Sequence, residues 1–209
     1  MSYSSVIAAL HESGHGVVAV LIGADVRGAR LHEDGGMTHT AGTMAMQLRI
    51  SLGGHAAETL LAPGEADVRC SRVDFETAYR HGINLARWEA HERQDREEIK
   101  PAEILIKRGL TRVSEYPKVQ KLSAVAAMSE QEIAEGIARL VAGWTERAHE
   151  LVAEAEIEVR ELLSSHRVVV FAVAKALHAF GHLDGPQVTA LIEGALDAER
   201  GRGRRRYYA

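Results

Sequence analysis

The chain lacks most of the features that place a protein in a class at a glance. A single cysteine, Cys70, rules out an intramolecular disulfide and makes a reducing cytoplasm the expected compartment. The longest apolar run, residues 16–24, is about half of a bilayer span, and the start, Met1-Ser2-Tyr3-Ser4-Ser5, has no basic stretch of the kind that opens an export signal. No Gly-x-x-x-x-Gly-Lys-Ser/Thr loop occurs, which excludes nucleotide binding by that device. A surplus of positive charge is missing too. The formal net charge is −4, and five arginines crowd the last ten residues (Arg200, Arg202, Arg204, Arg205, Arg206). Setting these aside leaves the body at −9, which argues against nucleic acid as the main partner.

What remains is 209 residues with 46% hydrophobic, 26% charged and 5% aromatic side chains and a mean hydropathy of −0.14. That balance excludes both a disordered acidic chain and a membrane protein, and suits a soluble, globular, helix-rich fold. Apolar residues from Val6 to Ile22 recur at helical spacing, so a helix is expected from about Ser4 to Ile22. Two short strands around the glycine turn Glu33-Asp34-Gly35-Gly36 follow, spanning residues 25–31 and 37–40. Helices are expected over 43–61, closed by Pro63-Gly64, and over 71–96, with a short one at 101–108 begun by Pro101. A capping-box pattern, Ser129-Glu130-Gln131-Glu132, opens a long amphipathic helix to about Leu163. Another helix runs from 168 to 180, and Pro186 is placed to begin a last one to about Arg200. The expected architecture is mainly α, with one small β-hairpin beside the first helix. The expected domain spans residues 1–199, followed by a disordered basic tail at 200–209.

The stretch that carries chemistry is His11-Glu12-Ser13-Gly14-His15, inside the first helix. Four residues advance a helix by a little over one turn, so His11 and His15 stack on one face, where two imidazoles can grip one metal ion. Glu12 is turned away from the metal yet within reach of a water bound to it. A metal that lowers the pKa of that water to about 7, with a carboxylate to take its proton, is the chemistry of peptide hydrolysis by zinc. With 11 histidines and 29 acidic residues, a His-acid-x-x-His match is expected by chance about 0.08 times in this length.

Two further stretches, Leu52-Gly53-Gly54-His55-Ala56-Ala57-Glu58 and Ser71-Arg72-Val73-Asp74 leading into Phe75-Glu76-Thr77-Ala78, follow at distances that make the chain resemble the peptidase domain of the FtsH family of zinc proteases. The weaker likeness of Arg147-Ala148-His149-Glu150-Leu151 and residues 173–188 to the helical tail of that domain extends the resemblance over residues 4–197. It implies that His11 and His15 ligate Zn2+, that Glu12 is the catalytic general base, and that Asp74 is the third protein ligand. Glu58 competes for that third position, with Asp74 then orienting a histidine.

The chain departs from the family at His55, where an arginine is usual; a surface or supporting histidine is expected there rather than a ligand. Asn84-Leu85-Ala86-Arg87 arrives one helical turn late, and residues 91–127 match poorly. Met37-Thr38-His39-Thr40 is the candidate edge strand for aligning a substrate, with His39 a candidate donor to it. Cys70 is expected to be a small buried residue. The resemblance implies a zinc-dependent metalloendopeptidase acting on unfolded or flexible protein substrates without ATP of its own. A homo-oligomer or a separate unfoldase is a further candidate partner, and no membrane is expected. The alternative is a non-hydrolytic binding or regulatory module that keeps the fold.

Overall fold

A computed structural model of the protein describes residues 5–64, 68–94 and 130–206. The chain is mainly helical with a small antiparallel sheet, as expected. Helix α1 (Ser5–Leu21) leads into strands β1 (Asp25–His32) and β2 (Gly35–Ala41), then α2 (Met44–Leu61) and α3 (Val68–Gln94). The later described elements are α4 (Glu130–Ser165), α5 (Arg167–Phe180), a three-residue strand β3 (His182–Asp184) and α6 (Gly185–Arg206). Among the described residues no single helix is long and apolar enough to cross a membrane.

The chain divides into two compact units. One unit comprises residues 1–82 and 151–209, the other residues 83–150. In the second unit the later half of α3 packs against the first half of α4. Arg147 bridges to Glu89 at 3.1 Å, and the Arg87 guanidinium lies 5.2 Å from the centre of the Trp144 ring. Two arginines thus tie these helix halves together, one through a carboxylate and one over an indole ring.

The first unit is organised around α1. Every residue from Ile7 to Ala19 is buried, because α2, α5 and the β1–β2 hairpin cover α1 on successive sides. Small residues make this enclosure feasible. Gly14 of α1 meets Gly53 of α2 backbone to backbone, and a Cβ at Gly53 would lie 2.7 Å from the Gly14 carbonyl oxygen. Ile7 and Leu10 pack with Ala174 of α5 and with Leu31 of β1, which carries the hairpin against α1. Thr43 caps α2, its hydroxyl accepting from the Met46 N–H at 3.3 Å.

Among the described residues the sheet has the order β2-β1-β3, with β2 at an edge. The third strand was not anticipated. Three residues carry no readable alternation, and β3 exists because Leu183 drops into the core opposite Ala29. The arginine-rich stretch also differs from expectation: α6 continues through Arg206 instead of ending near Arg200. Extending an existing helix needs no new nucleus, and arginine is a good helix former, which together offset the glycines at 201 and 203. The expected helix at 101–108, the capping box at Ser129 and most of the poorly matching stretch 91–127 lie outside the described residues, as does the Cys70 side chain.

Candidate metal centre

A helix buried on all sides has no water for its polar side chains, so each polar group on α1 needs a protein partner. The Ser13 hydroxyl donates to the Ala9 carbonyl at 2.6 Å. His15 places Nδ1 2.6 Å from the carbonyl oxygen of Ile50 on α2. His11 places Nδ1 2.7 Å from Oε1 of Glu58, which is fully buried. The Glu12 carboxylate reaches the hairpin instead, where the Thr38 hydroxyl lies 2.7 Å from Oε2 and 3.0 Å from the Glu12 main-chain oxygen.

These partners decide the protonation pattern of the histidines. A carbonyl oxygen can only accept, so Nδ1 of His15 donates; facing a carboxylate, Nδ1 of His11 donates as well. In the neutral rings both Nε2 atoms are then bare acceptors. They lie 3.1 Å apart, and Oδ2 of Asp74 on α3 lies 3.0 Å from the His11 atom and 3.4 Å from the His15 atom. Asp74 Oδ2 is buried and accepts no hydrogen bond. Three electron-rich atoms this close repel one another unless a cation or added protons sit among them.

A metal ion fits that requirement. Donors about 2.0–2.1 Å from a tetrahedral zinc lie roughly 3.3 Å from each other, close to all three edges of the triangle. His11, His15 and Asp74 are the one group of this kind among the described residues. The remaining ring nitrogens of both histidines are already tied to Glu58 and Ile50, the arrangement by which outer partners fix a ligand's tautomer and aim. Glu58 thus lies behind His11, on the opposite side of the ring from Asp74.

Glycines shape the space. A Cβ at Gly54 would lie 2.5 Å from Nε2 of His11 and 2.6 Å from Nε2 of His15, so the second glycine of the Leu52-Gly53-Gly54 stretch leaves room for both rings. At Gly36 of β2 a Cβ would run into the Glu12 side chain. Asp74 is brought over by α3, which docks on α2 where His55 Nδ1 lies 2.8 Å from the Ser71 hydroxyl and the ring meets Phe75 edge-on at 5.1 Å. His55 therefore supports the helix that carries Asp74 and stands outside the cluster.

The cluster opens into a cleft of about 410 Å³ whose walls include Glu12, Thr38, Gln47, Ser51 and Thr77. Met37 and Thr40 of β2 line it as well. His39 does not: strand alternation turns it to the other face of the sheet, away from the cleft. Thr38, the Ile50 carbonyl and Gly54 were not singled out from sequence. The glycine pair offered a signal for Gly54; nothing local links position 12 to position 38.

With no metal bound, protons must supply the missing charge. Burial is the strongest influence on His11 and pulls its pKa down, but the Asp74 and Glu58 carboxylates at its two nitrogens more than offset that and raise it from 6.5 to about 10. His15 is raised for a related reason, with Asp74 outweighing burial. Asp74 goes the other way: burial pushes it up, and the two histidines hold it well below 3.8. A base whose folded pKa is raised contributes stability below its unfolded value and loses it as pH climbs through the folded value; a depressed acid contributes above its unfolded value and loses it on acidification. Metal-free protein is therefore expected to be most stable between 3.8 and 6.5, with melting temperature falling as pH rises from 6.5 towards 10. Thermal melts of chelated protein across this range test it, and a flat or rising melting temperature from 6.5 to 10 would contradict the assignment.

No family model and no curated protein matches the chain.

Proposed function

We propose that the protein is a zinc-dependent endopeptidase of the type found in the FtsH family, with His11, His15 and Asp74 as the metal ligands and Glu12 as the catalytic general base. The observation that carries this reading is the convergence of two bare Nε2 atoms and an unpartnered carboxylate oxygen in a cleft that a second, clamped carboxylate also lines. Zinc bound there would supply Lewis acidity, polarising a substrate carbonyl and acidifying a water. Thr38 holds Oε2 of Glu12, which leaves Oε1 to take a proton from the attacking water and pass it to the leaving nitrogen. Among the described residues the edge strand β2 pairs with β1 alone, and its other side offers main-chain donors and acceptors to an extended polypeptide. Such a strand-like grip suits unfolded or flexible segments of a protein substrate and needs no nucleotide.

Metal stoichiometry paired with a protease assay tests the proposal. The expected result is one zinc per chain and cleavage of casein that a chelator abolishes and added zinc restores. Zinc at one per chain with no chelator-sensitive cleavage would replace the enzyme with a binding module; iron in place of zinc would overturn the hydrolytic chemistry.

A further inference from the structure

On the face of the sheet turned away from the metal cluster lies a second cavity, of about 490 Å³, with Arg27, Arg30, His32, His39 and His182 among its walls. Strand alternation assembles it. Arg30 on the central strand stands between Met37 of β2 and His182 of β3, while Gly28, next on that face, stands between His39 and Asp184. Gly28 contributes no side chain, so the floor is open at that point. In a chain whose body carries −9, this face gathers two guanidiniums and three imidazoles.

Two carboxylates on the same strands are already engaged, Asp25 with one of the groove's own guanidiniums, so that among the described residues Arg30 is the groove's one guanidinium without a carboxylate. Asp25 pairs with Arg27 at 3.8 Å, and Asp184 Oδ1 accepts from the Gln187 N–H at 2.8 Å at the start of α6. Arg30 has no carboxylate partner among the described residues. An exposed, unpaired guanidinium flanked by imidazole donors and an exposed methionine is suited to carboxylates on a flexible chain, which it can grip with two parallel hydrogen bonds.

We infer that this groove binds an acidic polypeptide segment. Met37 and Thr40 line both the groove and the metal-bearing cleft, so β2 is the wall between them. A chain laid along β2 in the cleft can continue over this wall and set glutamates or aspartates on Arg30. That role for the groove, holding the acidic flank of a substrate, rests on the peptidase reading; the binding itself does not.

The test is fluorescence anisotropy of a labelled poly-glutamate peptide with the full chain, as wild type and as the Glu12→Gln variant, at low and raised salt. Both proteins are expected to bind, more weakly as salt rises. Arg30→Glu, at an exposed strand position where folding is little affected, is expected to weaken binding about tenfold or more, and Arg30→Gln by less. Arg160→Glu, on an exposed helical face, serves as the charge-matched control and leaves binding unchanged. Absence of binding at low salt, equal binding by wild type and Arg30→Glu, or tighter binding of a single-stranded oligonucleotide than of the peptide would each overturn the inference. Peptide binding that depends on Arg30 in a protein that cuts no casein would keep the groove and remove the peptidase; casein cleavage without peptide binding would do the reverse.

Discussion

Replacing Glu12 by glutamine is expected to lower casein cleavage by about 10²–10⁴-fold while leaving one metal per chain. The substitution keeps the shape of the side chain, and the amide oxygen can still accept from the Thr38 hydroxyl that now lies 2.7 Å from Oε2. It removes only the capacity to take a proton. Since the group that could hold a metal consists of His11, His15 and Asp74, without Glu12, metal content should be unchanged. Activity and metal analysis on the same preparation separate the outcomes. A drop of less than tenfold would remove Glu12 from the role of base, and loss of metal would make it a ligand instead.

The second large effect is expected from Gly54→Ala. A methyl group there would lie 2.5 Å from Nε2 of His11 and 2.6 Å from Nε2 of His15, far inside contact distance and aimed at the atoms that converge. The rings cannot simply retreat, because Glu58 and the Ile50 carbonyl hold their other nitrogens at 2.7 and 2.6 Å. Either those bonds break or the triangle opens. The expected outcome is a loss of metal affinity of at least 100-fold, comparable to or beyond the loss of an outer ligand partner. Gly143→Ala on α4 is the control, since a Cβ there meets nothing within 4 Å. It is expected to be neutral or to stabilise the helix by up to about 1 kcal/mol. Metal titration of both variants, followed by thermal melts, checks the pair. Equal affinity in Gly54→Ala and wild type would remove the converging Nε2 atoms of His11 and His15 from the metal site.

Much of the site was legible because it rests on local geometry. His11 and His15 share a face through helical periodicity alone, and a motif of five residues carries that information. The helices around it were equally readable: α1, α2 and α5 begin and end within three residues of where spacing and capping residues put them. Asp74 was a different matter. Sequence offered both Asp74 and Glu58 as carboxylates for the metal, and only the packing of α2 and α3 on α1 sets one at the Nε2 side of His11 and the other at Nδ1. The Thr38 clamp on Glu12 was illegible for the same reason, as it joins positions 26 residues apart through the fold of a hairpin on a helix.

By itself, then, the sequence determined a mainly helical chain with a hairpin beside its first helix, and on that helix a pair of imidazoles sharing one face, with an adjacent carboxylate. Those properties follow from periodicities of two and 3.6 residues, which act over a few neighbours. The tertiary structure decided which atoms of those residues face each other. Because α1 is enclosed, its polar groups had to find partners on α2, α3 and β2, and that requirement leaves two nitrogens and one carboxylate oxygen crowded together with nothing but a cation or added protons to reconcile them.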